Sequence, residues 1–274
     1  MAESLYFHDW LLIKSLAMQA ISATLITHNE ENNIAQALKS LSWADEILVV
    51  DSGSSDATVE ICRGFQSTIL HRDWTGYVDQ KNFALEKARN DWVFSLDADE
   101  RASPELISEI RELNRKGFSS PGYRIPRVAY FMGRWIRHGG WYPDYQLRLF
   151  DRRSGRWEGG HVHESFKVKG SSAFLSGEIL HYSYRNISDY LERLETYSSL
   201  AALDYRQRGK KATLPGLMFN PLAAFLKSYL LKRGFLDGTP GFMVAAMGAV
   251  SVFFKHSKLY EIQLGKEKAA GSGQ

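Results

Sequence analysis

The sequence predicts an α/β fold: a mostly parallel sheet with helices on both faces, followed by a helical C-terminal extension. Three observations carry that prediction. Short apolar runs alternate with helical stretches from Ile21 to Leu96, the runs end in polar or acidic residues, and two apolar stretches with basic flanks lie beyond Leu214. Alternation of this kind implies parallel strands joined by crossover helices.

Strands are expected at Ala23 to Thr27, Ile47 to Val50, Thr68 to Leu70 and Trp92 to Leu96. The helices between them are expected at Asn33 to Leu41, Ala57 to Phe65 and Tyr77 to Arg89. Ser103 is then a natural N-cap, with Pro104 at the first helical position and Glu105 near the positive helix end, and Gly117 stops that helix after Lys116. From Gly122 to Tyr184 glycines separate short β-like pieces, expected at Tyr123 to Val128, Gln146 to Phe150, Ser165 to Val168 and Ile179 to Tyr182. Asn186 caps a helix running to about Arg208, before Gly209.

The C-terminal part holds the apolar stretch Leu214 to Leu226, interrupted by Pro215 and Pro221, and the uncharged stretch Gly238 to Phe254. Both fall short of the roughly 20 apolar residues that span a bilayer. Lys227, Lys232, Arg233, Lys255 and Lys258 flank them and suit anionic headgroups, so attachment at a membrane surface is expected. Packing onto the rest of the chain or onto a partner subunit is the alternative.

In this chain of 274 residues, 44% are hydrophobic and 24% charged, which excludes disordered and collagen-like classes. A net charge of +3 gives no argument for nucleic acid. The single Cys62 cannot form an internal disulfide and reads as a buried small hydrophobe in a reducing compartment. Residues 1–20 carry Glu3 and Asp9 and lack a basic start ahead of an apolar core, so they read as an extension rather than a secretory signal.

The most informative stretch is Trp92 to Glu100, where an apolar run delivers Asp97 and Asp99 to its C-terminal end. Ligands of α/β sheets gather beyond the carboxyl ends of the strands. Two carboxylates there suit Mg²⁺ or Mn²⁺ shared with substrate phosphates, whereas an isolated Asp-x-Asp can also be a solvated turn. Thr27, Asn29 and Glu30 follow the first strand, and Asp51 closes the second ahead of Gly53 and three serines, so polar groups collect at the same edge. A dinucleotide fold fails at its first turn, which reads Thr-His-Asn-Glu instead of Gly-x-Gly-x-x-Gly. A phosphatase with an Asp-x-Asp nucleophile fits poorly, because Arg101 stands where Thr or Val is wanted.

Thr-His-Asn-Glu-Glu from Thr27, Val-Val-Asp-Ser-Gly-Ser-Ser-Asp-Ala-Thr from Val49 and Leu-Asp-Ala-Asp-Glu from Leu96, in this order, resemble the family 2 glycosyltransferases. Gly76 to Asn82, Gly139 to Phe150, Val162-His163-Glu164 and Phe235 to Gly238 extend the likeness to the bacterial branch that adds glucose to the lipopolysaccharide inner core. The resemblance covers about residues 20 to 260. It implies the GT-A fold, inversion at the sugar and a divalent cofactor, Mg²⁺ or Mn²⁺. Residue by residue, it implies that Asp51 contacts the base or ribose of a nucleotide sugar, that Asp97 sits beside ribose and metal, and that Asp99 coordinates the metal. Thr27, Asn29, Glu30 and Lys81 join the nucleotide-sugar site, although Lys81 equally suits a solvated helix face.

In the resembling enzymes the base is commonly the Asp of a Glu-Asp pair, followed by a strand bearing an Arg. The matching place here reads Pro143-Asp144 with Arg148 downstream, so Asp144 is the candidate base. His161, His163 and Glu164 form a titratable cluster in which either imidazole can complete the metal shell and Glu164 can bind acceptor or act as base. Trp135, Trp141, Tyr142 and Trp157 can stack on sugars or fill a core. Trp141, Arg148, His161 and Glu164 are carried forward as acceptor or accessory residues. The domain expectation is 1–20 extension, 21–120 nucleotide-sugar half, 121–210 acceptor half, 211–262 apolar helical segment and 263–274 tail. The expected reaction moves a hexose, with UDP-glucose favoured, onto a lipid-linked saccharide such as lipopolysaccharide core. Its expected place is cytoplasmic and peripheral, on the inner face of the cytoplasmic membrane, with homo-oligomerisation left open. A polyprenyl phosphate acceptor and an inactive sugar-nucleotide-binding protein of the same fold are the rivals.

Overall fold

A computed structural model describes residues 18–159, 164–184 and 186–271. They fall into two compact units, one of residues 18–127 and 144–181, the other of residues 128–143 and 182–271. His161 and His163 lie outside the described residues.

The first unit is built on strands β1 Ile21–Thr27, β2 Glu46–Asp51, β3 Thr68–His71 and β4 Trp92–Asp97. Their order is β3-β2-β1-β4, all parallel. Helices α1 Ile34–Ser40, α2 Thr58–Arg63 and α3 Tyr77–Lys87 make the connections. The sheet continues as β8 Asp144–Asp151, β6 Gly122–Phe131, β12 Ile179–His181 and β5 Glu100–Ala102, with β8 antiparallel to both β4 and β6. The parallel half ends where β4 meets β8.

Alternation along the strands explains how helices cover both faces. Ala23, Leu25, Val49, Phe94 and Leu96 point to one side and pack with Ile34 and Leu38 of α1, Cys62 of α2, and Leu106 and Ile110 of α4 Pro104–Lys116. Leu48 and Val93 point to the other side, against Leu85 of α3 and the hairpin of β9 Gly155–Glu158 and β10 Ser165–Val168. Asp97 has the parity of Val93, so it faces α3. Helix α4 starts as its sequence dictates, with the Ser103 hydroxyl accepting from the Leu106 amide 3.1 Å away.

Four short strands escaped the sequence reading. They are β5, β7 Arg134–Ile136, β9 and β11 Ala173–Phe174, of four residues or fewer, each defined by its partner strand rather than by its own pattern.

In the second unit the end of β6 pairs with β7, and Phe131, Ile136, Tyr190, Leu194 and Val244 form a small core. Three helices follow: α5 Ile187–Gln207, α6 Leu214–Leu226 and α7 Gly238–Gly271. Helix α7 corrects one expectation. The helical stretch Gly234–Gly265 is long and apolar enough to cross a membrane by length and composition, because it continues past the uncharged run.

Candidate active site

Three parallel strands end at one edge. Thr27 lies opposite Asp51, and Ile26 lies opposite Asp97. Asp51 is buried, and its Oδ2 accepts the amides of Gly53 and Ser54 at 2.9 and 3.0 Å. Gly53 turns with φ +84, which a side chain would resist. The Asn29 amide donates to Ser54 Oγ at 2.9 Å, its side-chain oxygen accepts from the Ser55 amide at 2.8 Å, and the Glu30 amide donates to Thr58 Oγ1 at 2.8 Å. Thr27, Asn29, Glu30 and Asp51 are therefore brought together. The Thr27 hydroxyl is buried with no hydrogen-bond partner among the described residues.

Asp97, the first acid of the pair, belongs to a ladder of alternating charges. Glu164 Oε1 meets Lys81 Nζ at 2.9 Å, and Lys81 Nζ meets Asp97 Oδ1 at 2.8 Å. Asp97 Oδ2 meets Arg148 Nη2 at 2.7 Å, and Arg148 Nη2 reaches Glu100 Oε1 at 3.1 Å. Glu100 Oε1 also accepts from Arg127 Nη1 at 2.8 Å. Arg127 Nε and Nη2 both donate to Asp144 Oδ2, at 2.9 and 2.7 Å, while Gln146 Nε2 donates to Oδ1 at 2.7 Å. Lys81, Arg148 and Glu100 are buried. Ions in such a place persist only when paired. Burial pushes the Asp97 carboxyl up, but Arg148 and Lys81 outweigh it and hold it well below the usual carboxylate range. Burial opposes the Arg127 charge as well, and Glu100 overcomes it, so this guanidinium is held ionised.

Asp99 stands apart from the ladder. Its Oδ2 lies 3.3 Å from Nε2 of His181, which pairs across from Glu100 in β12 and β5. Among the described residues no cluster of three or more His, Cys, Asp or Glu gathers as a metal site. One carboxylate and one imidazole still fit Mg²⁺ or Mn²⁺, which takes much of its shell from water and substrate phosphates. Asp97, expected to share the ion, has both oxygens committed to cations. His181, with no expected role, is the group placed to act as a second donor.

Two further expectations change. Arg148, read as an acceptor or accessory residue, is buried against Asp97 and Glu100, and Nε and Nη1 of its guanidinium have no hydrogen-bond partner among the described residues. Trp157 is 3% exposed, its ring covered by Lys81 Nζ at 4.7 Å, so it stacks on no sugar. Glu164 is the partner of Lys81, and Lys81 is no solvated lysine. Trp141 lies in the second unit, packed beside Phe131 and Tyr184. Glu100, Arg127, Gln146 and His181 were missed. Glu100 directly follows the acidic pair, but His181, Arg127 and Gln146 lay in expected strands with nothing local to mark them as site residues.

Residues 22–172 match the model of the family described as Glycosyl transferase family 2. The match contains Thr27, Asp51, Asp97, Asp99 and Asp144. The chain belongs to that family and is a glycosyltransferase. It is 31% identical to a lipopolysaccharide core biosynthesis glycosyltransferase of Rhizobium meliloti, over 88% of this chain and 92% of the relative. It is also 31% identical to an uncharacterized glycosyltransferase of Rickettsia typhi, over 90% of this chain and 89% of the relative. Among solved structures, a mannosyltransferase of Pyrobaculum calidifontis, in complex with GDP-Man and Mn²⁺, aligns over 93% of both chains with a TM-score of 0.54 at 14% identity. That likeness is one of fold, and the fold of this glycosyltransferase is GT-A. His181 lies beyond the family match, whereas every residue of the ladder lies within it.

Proposed function

We propose that this glycosyltransferase moves a hexose, glucose from UDP-glucose being favoured, onto a lipid-linked saccharide such as lipopolysaccharide core, with inversion. The observation that carries this reading is the sheet edge itself. There Thr27, Asn29, Glu30 and Asp51 form a polar edge suited to a nucleoside, with Asp97 and Asp99 at the end of the next strand. Lys81 and Arg148 place two buried cations against Asp97, which favours a diphosphate there. Asp99 and His181 would hold Mg²⁺ or Mn²⁺, which when bound neutralises diphosphate charge. Asp144 takes the proton of the attacking hydroxyl. Arg127 and Gln146 fix its carboxylate through three hydrogen bonds and so set the direction in which it faces that proton. The relative's part in lipopolysaccharide core biosynthesis supports a saccharide acceptor. The proposed place of reaction is the inner face of the cytoplasmic membrane, with the enzyme bound peripherally.

A panel of nucleotide sugars with Mg²⁺ or Mn²⁺ tests the reading, scored by calorimetric donor binding and by transfer. Asp99→Asn is expected to abolish metal-dependent binding and transfer while unfolding normally. Full transfer by that variant would refute the metal site. Asp144→Asn is expected to bind donor normally and transfer at least about a hundredfold more slowly.

A further inference from the structure

Helix α6 is apolar, and none of its residues is buried; the same holds for the π-helical turn Lys227–Leu231 that follows it. Met218, Phe219, Leu222, Leu230, Phe235 and Leu236 are exposed, and Leu231 is 79% exposed. Lys227, Lys232 and Arg233 are exposed among them. From Lys210 to Tyr260 there are seven cations and one acid, Asp237. That acid is itself buried and consumed internally. Its Oδ1 meets His138 Nδ1 at 2.9 Å, and its Oδ2 accepts the amides of Arg137 and His138 at 3.0 and 2.8 Å. Lys232 O accepts the Gly139 amide at 2.9 Å, and Ser228 Oγ donates to Gly139 O at 3.0 Å. The inner side of the 227–237 turn is thus occupied by the loop Arg137–Gly140. Its outer side is apolar and positive, with nothing from the described chain over it.

Two of the five cations expected at headgroups are used elsewhere. Lys258 Nζ donates to Glu195 O and Oε1 at 2.8 Å and to Ser198 Oγ at 2.9 Å, and Lys255 Nζ donates to Tyr205 Oη at 3.0 Å. These bonds bolt α7 along the polar helix α5. A spanning α7 would drag Glu195 and its neighbours towards hydrocarbon, where charged groups are costly. The uncharged run Gly238 to Phe254 has 17 residues, about 26 Å of helix against a hydrocarbon core of about 30 Å.

We propose that α6, the turn Lys227–Asp237 and the exposed face of α7 form a docking surface for an anionic bilayer. The helices lie along the interface, with Leu230, Leu231, Phe235 and Leu236 inserted and Lys227, Lys232 and Arg233 at the phosphates. Through Asp237 and Lys232 the same turn holds the Arg137–Gly140 loop at the lipid boundary. With the lipid-linked acceptor proposed above, on which this step rests, docking brings enzyme and acceptor to one surface.

Flotation of the full chain with vesicles tests the surface without donor or acceptor, so it can fail or succeed apart from the reaction. Vesicles of phosphatidylcholine mixed with phosphatidylglycerol are expected to carry the protein, and phosphatidylcholine alone far less. Lys227→Gln, Lys232→Gln and Arg233→Gln together are expected to lower partition on the order of a hundredfold. Leu230→Ser with Leu231→Ser is expected to lower it roughly tenfold or more. An environment-sensitive probe on Leu231→Cys or Val250→Cys, with the buried native Cys62 silent, is expected to report a shallow position at both sites. In the acceptor arm, the leucine variants are expected to raise KM for a lipid-linked saccharide and leave donor hydrolysis unchanged. Equal partition of all variants would overturn the proposal. So would a probe at Val250 in the bilayer centre, or a lipid-free dimer that Leu231→Glu dissolves.

Discussion

At the scale of single residues, the tie between Asp144 and the acidic pair is the least expected feature. Arg127 spends two nitrogens on Asp144 Oδ2 and a third on Glu100 Oε1, so the candidate base is fixed by a side chain that shares a carboxylate with Arg148. Arg127→Ala should slow transfer about a hundredfold or more at unchanged donor KM, because it loosens the base and leaves donor contacts intact. Arg127→Lys, which keeps the charge and loses the fork, should recover only part. An alanine variant with normal kcat would show that Arg127 serves the fold alone. The same variant should lose about 3 kcal/mol in denaturant unfolding, since Glu100 would keep one buried cation instead of two. Asp97, Asp99 and Asp144 were legible because an apolar run or a Pro-Asp step announces them. Arg127 and His181 were not, because their meaning depends on which strands become neighbours. Strand β6 beside β8 and β12 beside β5 are pairings across tens of residues that no local pattern records.

At the scale of elements, Glu46 shows how one side chain joins two connections. Its Oε2 accepts from Ser22 Oγ and, at 2.7 Å, from the Arg89 amide, while Oε1 accepts from Arg89 Nε at 3.1 Å. Burial pushes this carboxyl up, but the bonds from Ser22 and Arg89 prevail and hold it below the usual glutamate value. A carboxyl lowered on folding contributes stability that is present above its unfolded pKa, near 4.3, and lost as pH falls through the folded value. Wild type should therefore exceed Glu46→Gln in stability at neutral pH, with the gap closing below about pH 4 in urea titrations. A gap that persists into stronger acid would contradict the assignment. Helix α4 makes a second case. Ser103 caps it and also receives the Glu178 amide at 3.3 Å, so Ser103→Ala should cost about 1 kcal/mol or somewhat more at an unchanged denaturant slope. The cap was readable from Ser-Pro-Glu alone. The neighbouring Gly177 was not: a Cβ there would strike the backbone of Leu106, so Gly177→Ala should unfold at markedly lower denaturant.

At the scale of the whole molecule, the chain divides its work between two units. The parallel half of the sheet, its helices and the acidic pair lie in residues 18–127 and 144–181. This half was readable because its short apolar strands alternate with helical stretches, each joining one parallel strand to the next. The 128–143 segment, the three later helices and the apolar surface lie in the second unit. There the sequence announced helices but not what they are bolted to, since Lys255 and Lys258 look like surface cations until α5 is seen beside them. Donor binding should accordingly stabilise the first unit. At a hundredfold excess over Kd, UDP-glucose with Mn²⁺ should add about 2.7 kcal/mol. For a chain of this size that corresponds to a rise of about 5–10 °C in the midpoint of thermal unfolding. The rise should require the ion, vanish in Asp99→Asn and survive the Leu230→Ser and Leu231→Ser changes, because those touch only the second unit. If the leucine variants lost the nucleotide-dependent rise, donor binding would have to draw on the helical extension. If the rise appeared without any divalent ion, Lys81 and Arg148 would be carrying the diphosphate alone.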